Sequence, residues 1–410
     1  MDKCDVMIWN KKIGELYYIN DKLKFTYIDK KIPFEISPLQ LHTDTKTYDY
    51  THLLAQKGLA GVFNDSLPDH YGEGVMNKYF ASKEQDVNTI DRLLFLSNNT
   101  LGAITYEPSN NDTEAKEFQL ELHNIYDEMK KVIKQKVNSD YADLEVLYSL
   151  LKSASPAGGA KTKAIIGYKD KNSPVYIGKR NREINPDYFN ALIKFNTGED
   201  GSTADNLITE YVYMKMAKKC GINTPYNELT KEKHYVIKRF DNNDGVINHM
   251  HTLQGLLHSD FATARTVDYV EAFRVLGLLN TPHDDKVELF KRMVFNFLFR
   301  NHDDHEKNIS FIMNKNGDWS LSPAYDITYN YKEGGKFIGD HQLTFNGLVG
   351  NNVTYSTFED IAKMFDIKNY KDIIDTILKN REDLEYCLLE NGVSDEYCNL
   401  VVSKCTERVL

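Results

Sequence analysis

Residues 300–308 read Arg-Asn-His-Asp-Asp-His-Glu-Lys-Asn, and residues 322–326 read Ser-Pro-Ala-Tyr-Asp. A carboxylate, an amide five positions later and a second carboxylate therefore occur in the chain order that phosphoryl transfer needs. In protein kinases one Asp orients the attacking hydroxyl, an Asn five residues on binds Mg²⁺, and a later Asp holds Mg²⁺ against the phosphates of ATP. Asp303, Asn308 and Asp326 fill these three roles, and the pattern predicts a protein-kinase-like enzyme.

The bulk composition excludes several other classes of protein. With 41% hydrophobic and 27% charged residues, the 410-residue chain is typical of a soluble globular protein of two or three lobes. Its net charge of −10 disfavours direct binding of nucleic acid. The five cysteines show no CxxC spacing, and no apolar signal core or long apolar run is present. We therefore expect a cytoplasmic protein that neither enters nor crosses a membrane.

The apolar pattern divides the chain into three parts, which we expect to be an N-terminal subdomain (1–108), a kinase small lobe (109–245) and a helical C-terminal lobe (246–410). The first part begins with short alternating runs typical of an antiparallel meander. Helical spacing follows over 72–98 and 115–153. Strands are expected at 164–168, 175–177, 191–195, 235–240, 310–313 and 319–321, and helices at 205–220, 287–300 and 372–391.

A lysine inside an apolar strand is a second sign of phosphate chemistry. Lys194 lies in the run Leu192 to Phe195, where a cation is costly to bury unless it is paired or meets an anionic ligand. Glu210, on the following helix, is the candidate partner, as in the lysine–glutamate pair of kinases. The alternative is an exposed lysine on an edge strand and a solvated glutamate. Lys307 either reaches the transferring phosphate or faces water.

The segment Ser153 to Lys163 is rich in Gly and Ala, and small residues let backbone N–H groups approach a phosphate closely. It matches neither of the two common glycine-rich phosphate motifs, GxxxxGK[ST] and GxGxxG. Taken alone, it is better explained by a flexible structural loop. Beside the downstream residues, it becomes a candidate phosphate-binding loop.

Two alternatives compete for the residues around Asp303. His302, Asp303, Asp304 and His305 also suit a metal-dependent phosphohydrolase, although four adjacent residues cannot all face one ion. Further ligands would have to come from His249, His251 and His258. Asp303 also suits a helix or turn cap, because Asp favours such junctions. The joint spacing with Asn308 and Asp326 favours the kinase interpretation over both.

At these residues the chain resembles the HipA-like serine/threonine kinases, the toxins of bacterial toxin–antitoxin pairs. The most specific matches are Gly158 to Lys163, Val236 to Asp241, His249 to Thr252, Asp303 to Ser310 and Leu321 to Asp326. Gly61 to Asp69 and Gly102 to Pro108 resemble the small N-terminal subdomain of single-chain members. The resemblance implies an α+β, protein-kinase-like two-lobed fold with a small β-rich N-terminal subdomain and a mostly helical C-terminal lobe.

The resemblance also implies that ATP and Mg²⁺ bind between two lobes, with Asp303 as the catalytic aspartate assisted by Lys194 and Lys307. Asn308 and Asp326 would hold the metal, and Lys238 and Phe240 would offer hinge backbone groups to adenine. The implied nucleotide contacts are Ala157, Gly158, Gly159, Ala160, Lys163, Lys194, Lys238, Phe240, His305, Asn308, Tyr325 and Asp326.

Regulation and partners are implied by the same resemblance. Family members autophosphorylate a serine before the glycine pair, which makes Ser155 the first candidate and Ser153 the second. The expected partner is a small helix-turn-helix antitoxin, through which DNA is bound indirectly. The expected substrate is a translation protein such as an aminoacyl-tRNA synthetase. The alternatives are a small-molecule phosphotransferase and a kinase-shaped corepressor without turnover.

Overall fold

The structure is a computed structural model that describes residues 3–29, 31–44, 46–68, 70–82, 86–108, 118–121, 161–177, 187–198, 203–243, 245–260 and 262–408. Two compact units make up the chain. The first comprises Met1–Thr203, Glu228–His251 and Asn314–Gly317, and the second comprises Ala204–Asn227, Thr252–Met313 and Asp318–Leu410. The boundaries of the three sequence-based parts stay a prediction.

The first unit begins with a five-stranded antiparallel sheet in the order β4-β3-β2-β1-β5. Its strands are β1 (Lys3–Ile8), β2 (Lys11–Ile19), β3 (Lys22–Tyr27), β4 (Thr47–Asp49) and β5 (Ile104–Glu107). Every second side chain of β1 and β3 is buried, as expected for a sheet with one face against a core. Three helices accompany this sheet: α1 (Gly61–Asn64), α2 (His70–Ser82) and α3 (Thr89–Leu96). The predicted β-rich start is therefore present.

A second, six-stranded sheet follows in the first unit, in the order β10-β11-β9-β7-β8-β6. Its strands are β6 (Phe118–Leu120), β7 (Lys163–Tyr168), β8 (Val175–Ile177), β9 (Phe189–Lys194), β10 (Asn227–Leu229) and β11 (Tyr235–Lys238). All six residues of β7 are buried. The described part of this unit also contains three short strands: β12 (Asn242–Asn243), β13 (Val246–Ile247) and β14 (His249–Thr252), of which the last ends at the first residue of a second-unit segment.

The second unit is mostly helical. Its helices are α4 (Ala204–Lys219), α5 (Leu253–Leu257), α6 (Tyr269–Leu278), α7 (His283–Leu298), α8 (Tyr355–Met364), α9 (Tyr370–Arg381), α10 (Leu384–Glu390) and α11 (Asp395–Thr406). The hairpin of β15 (Ser310–Met313) and β16 (Trp319–Leu321) lies between α7 and α8 in the chain. Helix α7 buries Leu289, Phe290 and Met293 and leads directly into the segment that carries Asp303.

Two of the predicted helices need correction. The helix expected over 372–391 is two helices, α9 and α10, with Glu382 and Asp383 between them. The break allows α9 to pack on α7 while α10 packs on α11. Residues 118–120, inside the helix expected over 115–153, form a strand paired with β8, and the rest of that range lies almost entirely outside the described residues. Long-range sheet pairing here overrides a local helical pattern.

Among the described residues, we find no helix that combines the length and the apolar character needed to cross a membrane. All five cysteines are free thiols. Burial raises the pKa of Cys4 to about 12 and that of Cys405 to about 11, so both stay protonated at neutral pH.

Candidate active site

The loop after α7 presents Asp303 to solvent while its two neighbours point inward. The Asp303 side chain is 43% exposed, whereas His302 and Asp304 are 0% and 3% exposed. This alternation follows an arginine, Arg300, whose backbone φ of +55° turns the chain out of the helix. The carboxylate predicted to act on a substrate hydroxyl is therefore accessible.

A single turn of 3₁₀ helix, Glu306–Asn308, closes the loop and places the predicted metal ligand. The Asn308 Nδ2 donates to the carbonyl of Asp303 at 2.7 Å, which turns the amide oxygen the other way. The Lys307 N–H donates to His305 Nδ1 at 3.2 Å, so the proton of the neutral ring lies on Nε2. That Nε2 lies 3.7 Å from Asp303 Oδ1. Four of the predicted residues, Asp303, His305, Lys307 and Asn308, thus lie together in one short loop.

Tyr325 ties the second predicted metal ligand to the same loop. Its hydroxyl donates to the carbonyl of Lys307 at 2.6 Å and accepts from the hydroxyl of Ser310. Asp326, the next residue, has a left-handed φ of +55°, a conformation that Asp tolerates better than most residues. The fixed tyrosine and the turned backbone together orient the half-buried Asp326.

Helix α7 holds the segment before Asp326. The buried Arg292 donates through its Nη2 to the carbonyl of Ser322 at 2.6 Å and pairs with Glu288 at 2.9 Å. Burial lowers the pKa of Arg292, and Glu288 opposes this effect. Asp285 accepts from the Leu321 N–H at 2.8 Å, and burial raises its pKa. Charged side chains of α7 thus hold the end of β16, and Tyr325 and Asp326 follow this strand in the chain.

Sequence reasoning missed the part that Asp304 plays. Its carboxylate accepts three hydrogen bonds, from Tyr269 Oη at 2.9 Å, His341 Nδ1 at 2.9 Å and the Gln342 N–H at 2.8 Å. The Tyr269 hydroxyl in turn accepts from Asn296 Nδ2 at 3.0 Å. The sequence offers one weak signal for this role, a second Asp beside Asp303, and the local pattern suggests only a metal ligand there.

In the first unit, two lysines face each other across neighbouring strands. The antiparallel register of β7 and β9 makes Lys163 and Lys194 direct partners, so both side chains lie on the same face of the sheet. They are 3% and 4% exposed. Two buried lysines side by side on one face of a sheet suit a site that receives negative charge. Each lysine is predicted separately from the sequence, whereas their pairing across the two strands is visible only in the structure.

The predicted hinge residues, Lys238 and Phe240, lie at the end of β11 and just after it. Lys238 ends that strand, with its Nζ 5.4 Å from the centre of the Phe189 ring, and Phe240 is half-buried. Between them, the buried Arg239 donates from Nε to Asp241 Oδ1 at 2.9 Å, and its N–H donates to the carbonyl of Asn190 at 2.9 Å. The hinge backbone is thus attached to the sheet and to a buried ion pair.

Several predicted residues lie outside the described part of the chain. These are Ser153, Ser155, Ala157, Gly158, Gly159 and Ala160. Glu210 is buried on α4, in the second unit, whereas Lys194 belongs to the first unit. The ion pair between them stays a prediction, and Lys307 is half-buried beside Asn308.

The alternative metal-hydrolase site gains no support. His249 Nε2 donates to the carbonyl of Ile36 at 2.8 Å, and His251 bonds Ser37 Oγ at 2.9 Å and Asp65 Oδ2 at 2.6 Å. Ser37, His251 and Asp65 are linked in the order of a serine–histidine–aspartate triad. Because Ser37 and His251 are both 0% exposed, a substrate cannot reach them. Within the described ranges, no group of three His, Cys, Asp or Glu side chains is placed to hold a metal.

Comparison with protein families gives two matches. The model described as the HipA-like C-terminal domain matches residues 155–384, and the model described as the HipA N-terminal domain matches residues 4–107. Among curated proteins, the chain is 28% identical over 157 residues to a Haemophilus influenzae protein named "Putative kinase". That alignment spans 34% of this chain and 44% of the relative's length.

Among solved structures, the chain is similar to one determined for the Shewanella oneidensis HipA, HipB and operator DNA complex. The TM-score is 0.70 at 16% identity, over 98% of this chain and 97% of that one. A Helicobacter pylori proinflammatory kinase, CtkA, gives a TM-score of 0.36 at 16% identity, over 55% of this chain and 91% of that one, which is too low to carry an argument. The first likeness confirms the expected α+β, kinase-like two-lobed fold.

Proposed function

Because the chain belongs to the HipA-like family, whose C-terminal domain model matches more than half of its residues, we propose that it is an ATP-dependent serine/threonine protein kinase. We further propose that it is the toxin of a HipBA-like toxin–antitoxin pair. The observation that carries the proposal is the loop in which the exposed Asp303, the amide of Asn308 and the segment Tyr325–Asp326 are joined by short hydrogen bonds.

In this proposal Asp303 orients the substrate hydroxyl and accepts its proton as the phosphoryl group transfers. The carboxylate is exposed enough to meet a hydroxyl, and the bond from Asn308 to its own carbonyl limits the movement of its backbone. His305 Nε2 lies 3.7 Å from Asp303 Oδ1, and its attraction for the carboxylate helps to direct it. We propose that Lys307, half-buried beside Asn308, meets the transferring phosphate.

The residues proposed to hold Mg²⁺ fit that ion chemically. Mg²⁺ prefers carboxylate and amide oxygens and keeps several waters, so one carboxylate and one amide beside the phosphates of ATP suffice. Asn308 offers its oxygen because its nitrogen is used by Asp303, and Asp326 offers a carboxylate on a constrained backbone. When bound, Mg²⁺ neutralises charge on the phosphates.

We assign the remaining nucleotide contacts by chemistry. The paired, buried Lys163 and Lys194 supply two positive charges for the phosphates, together with Ala157 to Ala160 of the glycine-rich loop. The backbone around Lys238 and Phe240 offers hydrogen bonds to adenine, and Arg239 holds that backbone in place by its bond to Asn190. Tyr325 contributes by fixing the loop.

The proposed partners follow from the family and from charge. The Shewanella structure contains HipA with HipB and operator DNA, which supports a small helix-turn-helix antitoxin as the partner of this chain. With a net charge of −10, this chain would reach DNA only through that antitoxin. Five free cysteines suit a reducing cytoplasm. The proposed substrate is a translation protein such as an aminoacyl-tRNA synthetase, with Ser155, or else Ser153, as the autophosphorylation site.

The first test is Asp303→Asn, which keeps the shape of the side chain and removes its charge. We expect phosphoryl transfer from labelled ATP to fall by at least about 10²-fold, because the group acts in the transition state, while ATP affinity changes little. The matched control is Asp375→Asn, on the exposed surface of α9. Mass spectrometry of the wild type locates any phosphoserine.

Other outcomes would change the assignment. Equal transfer by Asp303→Asn and wild type would contradict the kinase mechanism. ATP consumption without labelled protein would favour a small-molecule phosphotransferase. Antitoxin binding without any turnover of ATP would favour a kinase-shaped corepressor.

A further inference from the structure

The two neighbours of Asp303 are bonded to one short segment, residues 337–342. His302 Nδ1 donates to the carbonyl of Ile338 at 3.3 Å. On the other side, Asp304 accepts from both His341 and Gln342, whose donor atoms lie 2.9 and 2.8 Å away. Since the peptide on each side of Asp303 is held, the direction of its own side chain is set by where this segment lies.

We propose that Asp304 is a positioning residue for phosphoryl transfer: it locks residues 337–342 onto the catalytic loop and thereby fixes the direction of the Asp303 carboxylate. The inference rests on the kinase function proposed above. In this role Asp304 acts on phosphoryl transfer through Asp303 and through His341, and it touches neither the nucleotide nor the metal.

The environment of Asp304 shows why a carboxylate is needed there. The residue is 3% exposed, and a buried carboxylate is tolerated only when donors surround it. Tyr269, His341 and Gln342 supply three such donors, and hydrogen bonds to a charged acceptor are about twice as strong as neutral ones. An uncharged residue at this position would weaken all three contacts together.

The donors to Asp304 are themselves held in place. A change at Asp304 would therefore move the catalytic loop and would not be taken up by movement of the donors. His341 is fully buried against the rings of Phe297 and Phe345, with centroid distances of 5.8 and 5.0 Å. Tyr269, fully buried on α6, is held by Asn296 of α7. The carboxylate thus joins two helices, the catalytic loop and residues 341–342.

The Tyr269 hydroxyl is also linked, through Asn296, to Asn301 at the start of the catalytic loop. Asn296 Oδ1 accepts from Asn301 Nδ2 at 2.9 Å, and the Asn301 N–H donates to the carbonyl of Asn296 at 3.0 Å. Tyr269, Asn296, Asn301 and Asp304 line one small cavity, which Asn308 and Tyr325 also line. Both ends of the stretch 301–304 are therefore held by buried side chains, and Asp303 is the residue between them that faces solvent.

The test is Asp304→Asn in the full-length chain, assayed with Mg·ATP and labelled phosphate. The replacement has the same shape, but it turns one acceptor oxygen into a donor that faces other donors. Because a misplacement of about 1 Å in a reacting group costs on the order of 10²-fold in rate, we expect kcat to fall about 10- to 100-fold. The Kd for ATP should stay within about twofold of wild type, since the nucleotide contacts are untouched.

A second readout does not need kinase activity. Amide hydrogen exchange in Asp304→Asn should rise in residues 301–309 and 337–345 and stay unchanged in β7 and β9. Tyr269→Phe removes one of the three donors and should give a smaller change of the same kind, which keeps the proposal testable if Asp304→Asn does not fold. In the double variant Asp304→Asn with His341→Leu, the two rate losses should be non-additive, because both act through one contact.

Three outcomes would overturn the proposal: an unchanged kcat in Asp304→Asn, a parallel loss of ATP affinity and kcat, or strictly additive losses in the double variant. Failure of the proposed function gives a different result. If the wild type transfers no phosphate from ATP to any acceptor, the kinase assignment fails, whereas hydrogen exchange still decides whether Asp304 holds the two segments together.

Discussion

Gly102 shows how one residue without a side chain decides a local arrangement. Its φ is +71°, and a Cβ built there would lie 2.7 Å from the backbone nitrogen of Met250. Its N–H donates to Asp241 Oδ2 at 2.7 Å, and Asp241 is the carboxylate paired with Arg239, between the predicted hinge residues Lys238 and Phe240. Only glycine satisfies the backbone angle and the close approach together.

Gly102→Ala should therefore destabilise the first unit by about 2 kcal/mol or more, since it combines positive φ with a clash against backbone. The control is Gly58→Ala, where φ is +74° but the nearest atom to the added Cβ is 3.6 Å away. The free energies of unfolding of the two variants, measured in urea, separate the cost of the clash from the cost of the positive φ. Equal losses would show that Met250 moves aside.

A buried histidine gives stability a pH dependence. Burial, followed by the neighbouring His251, lowers the pKa of His249 to about 3. In the unfolded chain the ordinary pKa is about 6.5, so the unfolded state binds the proton first. The contribution of His249 to the free energy of unfolding is constant above pH 6.5. As the pH falls from about 6.5 towards 3, this free energy decreases progressively.

His249→Asn removes this titration, and it also removes the Nε2 bond to Ile36, because the Asn amide matches only the ring Nδ1 in position. We expect the slope of the unfolding free energy between pH 6 and 4 to fall by up to about 1.4 kcal/mol per pH unit, the value for one proton. His283→Asn, an exposed histidine on α7, should leave the slope unchanged. Urea midpoints across this pH range measure the difference, and an unaltered slope in His249→Asn would refute the assignment.

At the scale of elements, Asp268 joins a helix to a distant turn. It is the N-cap of α6 and forms a capping box with Glu271. The same carboxylate accepts from Thr344 Oγ1 at 2.5 Å, the Asn346 N–H at 3.2 Å and the Gly347 N–H at 2.7 Å. One residue thus begins the helix that carries Tyr269 and fixes the turn after His341.

Asp268→Ala should cost about 2 kcal/mol or more, of which the helix cap accounts for about 1 kcal/mol. Asp268→Ser keeps a cap oxygen but offers a single hydroxyl in place of two carboxylate oxygens, so it should recover only the cap. Thermal unfolding of the two variants divides the loss between helix and turn. If the serine variant matches wild type, the contacts with residues 344–347 contribute nothing measurable.

For the whole molecule, the proposed function predicts stabilisation by Mg·ATP. A ligand that binds only the folded state adds about 2.7 kcal/mol at 100 times its Kd, which raises the melting temperature. Asp326→Asn should remove the part of this shift that depends on Mg²⁺, and Asp375→Asn should not. Melting curves with ATP in Mg²⁺ and in EDTA make the comparison, and equal shifts under both conditions would refute the metal assignment.

The sequence alone determined the fold class and the residues proposed for catalysis. Asp303, Asn308 and Asp326 are recognisable because their spacing and order are local features of the chain. The strands at 310–313 and 319–321 and the helix near 205–220 follow from short-range apolar periodicity, which the folded chain keeps. Such patterns survive because they describe which face of an element is buried, whatever that element packs against.

The tertiary structure alone decided what surrounds these residues. Tyr269 and His341 reach Asp304 from 35 and 37 positions away, and no local pattern encodes that distance. Lys163 and Lys194 became partners through the register of two strands, and the break between α9 and α10 lets α9 pack on α7 and α10 on α11. Contacts between distant positions arise only when several elements bury their apolar faces together, so the positioning of Asp303 became visible only in the folded chain.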